Sequence, residues 1–74
     1  MKKSSDDSVY KVIELVGVSG ESWEDATRVA VERAGKTLRD LRVAEVAKLD
    51  VTIEEGNVAK FRARLSVSFK YEGE

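Results

Sequence analysis

Hydrophobic and polar residues alternate along three segments of the chain, as they do in β-strands. Segment 9–18 is rich in β-branched residues and apolar on both sides, which predicts a strand covered on both faces. Segment 59–71 alternates most regularly and predicts a strand with one buried face and one face in water. Its apolar positions are Ala59, Phe61, Ala63, Leu65, Val67, Phe69 and Tyr71, and Lys60, Arg62, Arg64, Ser66, Ser68 and Lys70 lie between them.

Segment 42–53 is predicted as another strand, with a less regular pattern. Residues 54–57 then predict a tight turn, since Gly56 and Asn57 tolerate positive φ, so that this strand and the last one form a hairpin. By strict alternation, one side of the strand carries Ala44 and Val46, and the other side carries Val43, Leu49, Val51 and Ile53.

A helix is predicted between the first two strands. Gly17 and residues 19–21 end the first strand with turn residues. Ser22 is the predicted N-cap, and Glu24 and Asp25 follow in the first turn, where the positive end of the helix dipole favours carboxylates. An apolar stripe at helical spacing places the helix on an apolar surface. Its members are Trp23, Ala26, Thr27, Ala30, Ala34, Leu38 and Leu41.

The order strand, helix, strand, strand predicts an α+β protomer. A right-handed crossover makes the first two strands parallel, so the last strand pairs antiparallel with both only if it lies between them. The predicted three-stranded sheet has long hairpin strands, and we expect it to curl strongly and wrap its single helix. We predict one domain over residues 9–72, preceded by a disordered tail at 1–8.

The size of the chain predicts self-assembly. A domain of 74 residues builds a thin core, and the absence of cysteine and histidine removes disulfides and nearly all structural zinc sites. One helix cannot cover so much apolar strand, so oligomerisation is the remaining source of stability. Val29 lies off the helical stripe, among charged residues, and is a candidate subunit contact.

Composition excludes several classes of function. Without histidine or cysteine the common catalytic constellations are missing, and we predict that the protein is not an enzyme. The formal net charge of -1 gives no global attraction to nucleic acid or anionic lipid. No signal-like N-terminus or membrane-length apolar run is present, so we expect a cytoplasmic protein without nucleic-acid or membrane partners.

Two charged groups are candidate binding features. The basic residues of the last strand are predicted to be balanced by acidic groups of a neighbouring strand or subunit, because no aromatic side chain lies among them to stack bases. The carboxylates of Asp50, Glu54 and Glu55 suit a hard cation such as calcium, but they lack the spacing of an EF-hand loop. An ordinary acidic turn is the alternative.

The order and spacing of five segments resemble the dodecin family: 9–19 (VYKVIELVGVS), 30–34 (AVERA), 37–39 (TLR), 43–46 (VAEV) and 67–69 (VSF). This resemblance covers nearly the whole chain. It implies a hollow homododecamer of strand-helix-strand-strand protomers, with flavin pairs stacked between protomers near the two-fold axes. It also implies storage or buffering of flavin without catalytic turnover.

The residues at the positions that the resemblance assigns to flavin have changed. Val43 stands where the family has its stacking tryptophan, and a valine has no π face. Arg62 stands where the family has a glutamine that bonds the polar edge of the flavin ring, and arginine only donates. Glu45 belongs to the same segment as Val43, and Asp50 replaces an arginine found in many bacterial flavin binders.

These departures are similar to those of a divergent dodecin branch that includes a calcium-binding member. That likeness makes Asp50, Glu45, Glu54 and Glu55 candidate cation ligands at subunit junctions. Three hypotheses follow. The first is a binding or storage shell with weakened flavin affinity and cation binding; the second is a functional binder of riboflavin or FMN; the third is a purely structural or partner-binding oligomer.

Overall fold

The computed structural model of the protein describes residues 8–70. It contains β1 (Tyr10–Ser19), α1 (Trp23–Gly35), β2 (Leu41–Glu54) and β3 (Asn57–Lys70). The sheet order is β1-β3-β2, and β3 pairs antiparallel with both neighbours. These findings confirm the predicted α+β class and topology. The predicted tail and the last residues of the predicted domain lie largely outside the described residues, so both boundaries stay predictions.

The helix begins as the sequence predicts and ends earlier. The Ser22 hydroxyl caps it by accepting a 2.9 Å hydrogen bond from the Asp25 N–H. After Gly35 the chain turns, and Asp40 adopts a positive φ of 58° immediately before β2. The extension of the helical stripe through Leu38 and Leu41 is therefore wrong: Leu38 lies in the turn and Leu41 opens β2. Among the described residues, 8–70, no helix is long and apolar enough to cross a membrane.

The core lies between α1 and the middle of β3. Small side chains on the helix allow a close approach to the sheet, and among residues 8–70 only Leu65 and Val67 are large and fully buried. β1 continues through Gly17 to Ser19, so the prediction that Gly17 ends the strand is wrong. A Cβ at Gly17 would stand 2.1 Å from the carbonyl oxygen of Ala26, and the glycine is what lets helix and strand touch.

Two irregularities change which residues of β2 face the helix. The pairing with β3 shifts between Leu41 and Val43 and again between Val46 and Lys48, as at β-bulges. Strict alternation across these points was wrong, because each extra residue reverses the faces. The helix side carries Ala44, Val46, Leu49 and Val51, opposite Val67, Leu65, Ala63 and Phe61, and the other side carries Val43, Glu45, Lys48 and Asp50.

The sheet is not strongly curled, and the prediction that it wraps the helix is wrong. Thirteen helical residues span about 20 Å, whereas the 14 residues of β2 extend over about 46 Å. The helix packs mainly on β1 and β3 and touches β2 little. Val46 and Leu49 of β2 consequently stay 44% and 50% exposed on the helix side. Within one chain, no buried contact draws this edge of the sheet around the helix.

The hairpin turn lies at the predicted residues 54–57, where Glu54 pairs with Asn57. Glu55 and Gly56 have positive φ values of 51° and 80°, as a two-residue type I′ turn requires at its central positions. Asn57 does not need the left-handed conformation and begins β3. Its side chain donates a 3.5 Å hydrogen bond to the Glu55 carbonyl. The turn therefore holds the two long strands in register.

We predict that Gly17→Ala destabilises the fold by about 1–3 kcal/mol, because the new methyl group forces the helix away from β1. Gly20→Ala is the matched control, since a Cβ there meets nothing within 4 Å, and we expect a change below about 0.5 kcal/mol. Chemical denaturation of both variants at equal protein concentration measures the difference. Equal stability of the two variants would contradict the assigned role of Gly17.

Candidate functional site

The face of the sheet opposite the helix, here called the helix-free face, carries most of the predicted site residues. β2 contributes Val43, Glu45 and Asp50 to it, and β3 contributes Arg62. β1 adds apolar side chains at Val12, Val16 and Val18, all of them exposed. The described residues contain no second layer over this face.

Asp50 and Arg62 form a bidentate ion pair on the helix-free face. They lie directly opposite each other in the β2–β3 register. The Arg62 Nε donates to Asp50 Oδ1 at 2.7 Å, and Nη2 donates to Oδ2 at 3.0 Å. Both carboxylate oxygens are therefore engaged by one guanidinium fork. Two residues that the sequence singled out separately act as a unit.

The electrostatics of this pair favour the charged state of both partners. Hydrogen bonding from Arg62 is the main cause that lowers the pKa of Asp50. Burial opposes this shift, and the positive charges of Arg62 and Arg64 add to it. The same hydrogen bond to Asp50 raises the pKa of Arg62. Their side chains remain 49% and 37% exposed, so solvent screens the pair and its contribution to stability is modest.

Trp23 supports Asp50 from the helix side of the sheet. Its indole Nε1 donates a 3.0 Å hydrogen bond to the Asp50 backbone carbonyl. Its ring packs edge to face against Phe61, with 5.1 Å between centroids and 79° between planes. The first turn of the helix is thereby joined to both hairpin strands at the position of the Asp50–Arg62 pair.

A second polar cluster, which the sequence analysis missed, joins β1 to the helix. The buried Ser19 hydroxyl donates to Asp25 Oδ2 at 2.7 Å and accepts from the Glu21 N–H at 2.8 Å. The hydrogen bond from Ser19 lowers the pKa of Asp25, and the charge of Arg28 adds to this shift. A serine three residues before the N-cap was the only signal in the sequence. The arrangement fixes the loop and leaves no free polar group for a ligand.

The remaining candidate residues are not brought together within one chain. Val43 lies opposite Ser68, six residues along β3 from Arg62, or about 20 Å away. Glu45 lies opposite Ser66, whose other neighbour is Glu14, so two carboxylates flank one hydroxyl. Among residues 8–70, no group of three or more acidic side chains is arranged to hold a metal ion. Glu54 and Glu55 lie at the distant hairpin turn.

An apolar groove of about 610 Å³ runs between β1 and α1. The sequence hinted at it through Val29, which lies off the core stripe and lines the groove. Arg33 and Thr37 are its polar members, and the aliphatic lining includes Ile13, Leu15 and Leu38. The groove could not be found from one element alone, because it forms where a strand edge meets a helix flank. It is called the β1–α1 groove below.

Comparison with known proteins gives a consistent result. The family model described as Dodecin matches residues 9–72. Calcium dodecin from Mycobacterium tuberculosis is 44% identical over 63 residues, which cover 85% of this chain and 89% of that protein. Dodecin from Thermus thermophilus is 45% identical over 64 residues, which cover 86% of this chain and 93% of that protein.

Solved structures show the same similarity. Dodecin from Streptomyces coelicolor superimposes with a TM-score of 0.87 at 38% identity, covering 93% of this chain and 99% of that one. The calcium dodecin of M. tuberculosis, described as having a novel calcium-binding site, gives a TM-score of 0.79 at 42% identity, covering 90% and 96%. The chain is thus similar to these proteins in sequence as well as in fold.

Proposed function

The chain belongs to the dodecin family of non-enzymatic, small-molecule-binding proteins, and from this membership we propose that it forms a homododecameric shell with weakened flavin affinity. Cation binding at subunit junctions is the second part of the proposal. The shell is supported by the apolar surface that one chain leaves uncovered on β1 and β2. Twelve copies give each such surface a partner, as is usual for members of this family.

The observation that carries the loss of flavin affinity is the Asp50–Arg62 ion pair. The polar edge of a flavin ring needs both donors and acceptors, and the guanidinium of Arg62 supplies donors only. Two of its five N–H donors already bond the carboxylate of Asp50. The guanidinium is thereby held against Asp50, and its remaining N–H groups offer a flavin no acceptor. Val43, which is 61% exposed, offers an aliphatic surface where the family presents an aromatic ring.

The alternative within the family is a functional binder of riboflavin or FMN. This alternative is supported by the comparisons, because the Thermus dodecin and the calcium dodecin match this chain almost equally well. A purely structural oligomer is the third hypothesis. Titration with flavin and with calcium separates the three.

Cation binding is favoured by carboxylates without ion-pair partners. Glu45 makes no ion pair with any described residue, and it shares Ser66 with Glu14. The relative from M. tuberculosis is named for calcium. Asp50 is the poorest ligand of the candidate set because Arg62 neutralises it, whereas Glu45, Glu54 and Glu55 make no ion pair with any described residue of the same chain. Symmetry-related copies of such carboxylates can converge on one ion in a closed oligomer.

We predict that the wild-type protein does not quench riboflavin or FMN fluorescence at submicromolar concentration. The double variant Val43→Trp with Arg62→Gln should gain flavin affinity by tenfold or more, because it adds a stacking surface and a side chain that both donates and accepts. The measurement is fluorescence titration of both proteins under identical conditions.

The matched control for this prediction is Val43→Trp with Arg64→Gln. It makes the same chemical changes and loses the same charge on the same face, but it keeps the Asp50–Arg62 pair. We expect it to bind flavin less tightly than the first variant. Submicromolar quenching by the wild-type protein would contradict the proposal directly.

We predict that calcium raises the melting temperature of chelator-treated protein by several degrees, because an ion held only by the folded shell stabilises it. Glu45→Gln should reduce this shift, while Glu21→Gln, an exposed loop carboxylate, should leave it unchanged. Differential scanning calorimetry with and without calcium measures both. No shift in the wild-type protein would exclude cation binding and favour the purely structural oligomer.

A further inference from the structure

The end of the hairpin projects beyond the rest of the protein. β1 stops at Ser19, which pairs with Phe61, so residues 52–60 form a two-stranded arm without a third strand. α1 begins at Trp23, against Phe61, and leads away from the arm. This segment, 52–60, is called the hairpin arm.

The hairpin arm carries an apolar pair at its tip. Ile53 and Val58 lie opposite each other across the two strands and are 67% and 55% exposed. These are large values for two adjacent β-branched residues, and no described residue covers them. Glu54 and Glu55 follow at the turn, and neither makes an ion pair with any described residue. The tip is thus an apolar wedge with an acidic edge.

The β1–α1 groove has the complementary properties. Its walls are aliphatic side chains of β1 and α1, and one edge of β1 pairs with no strand in the described sheet. Its charged residue is Arg33, which is exposed and makes no ion pair with the described residues. The groove is thus an apolar slot with a basic edge.

We propose that the hairpin arm of one copy docks in the β1–α1 groove of the next copy, with Ile53 and Val58 against the groove walls and Glu54 and Glu55 facing Arg33. The contact joins two different surfaces, and such head-to-tail contacts close into rings when repeated about a symmetry axis. The occupant is a second copy because the arm and the groove match in both hydrophobicity and charge. The inference rests on the proposed self-assembly and adds which surfaces carry it.

Charge reversal tests the contact. Arg33→Glu alone should weaken assembly, and so should Glu54→Lys with Glu55→Lys, because each places like charges face to face. We expect the protein concentration at half dissociation to rise about tenfold or more in each case. The triple variant that combines all three changes restores opposite charges and should assemble nearly as well as the wild-type protein. Native mass spectrometry and analytical ultracentrifugation measure the oligomer.

Two exposed residues outside the contact provide matched controls. Arg39→Glu matches the charge change of Arg33→Glu, and Glu21→Lys matches that of each single Glu→Lys substitution at the tip. Both residues lie in loops, and both variants should leave the oligomer intact. Circular dichroism checks that every variant is folded, and recovery in the triple variant excludes a folding defect as the cause. If the reversed variants assemble like the wild-type protein, or if the triple variant does not recover, the proposed contact is wrong. The proposed homododecamer would not be affected by that result. A monomeric wild-type protein would overturn both.

Discussion

The structure depends on how little of its sheet one short helix can cover. Thirteen residues of α1 pack against β1 and β3, and the alanines that face the sheet bring the two layers close together. Gly17 permits this approach where helix and strand touch. Because the layers lie so close together, the core is small, and among the described residues only two large side chains are fully buried. Several large apolar side chains of β1 and β2 therefore stay exposed in the single chain.

The predictable parts of the fold were those with a regular pattern. The alternation of β3 identified its buried face correctly, and the Ser22 cap located the start of the helix. The element order then fixed the topology. The errors arose at local irregularities. The bulge between Val46 and Lys48 reversed the predicted faces of Leu49 and Val51, and the helical spacing of Leu38 and Leu41 continued past the true end of the helix. The expected curl is absent because the helix packs mainly on β1 and β3 and contacts β2 little.

The sequence singled out candidate site residues, which stay a prediction, but it did not predict how they are arranged. Resemblance to dodecins marked Val43, Arg62 and Asp50 as changed positions. That Asp50 and Arg62 compensate each other depends on a cross-strand register that sequence spacing did not reveal. The indole of Trp23 bonding the Asp50 carbonyl was equally hidden, since it joins residues 27 positions apart. In the proposed shell, binding would depend on surfaces that meet between copies.

Native mass spectrometry of the wild-type protein at micromolar concentration tests this account most directly. The uncovered strand surface predicts one dominant species of about twelve times the 8.2 kDa chain mass. A well-folded species with the mass of a single chain would contradict it, because such a chain would be stable with its apolar strands in water.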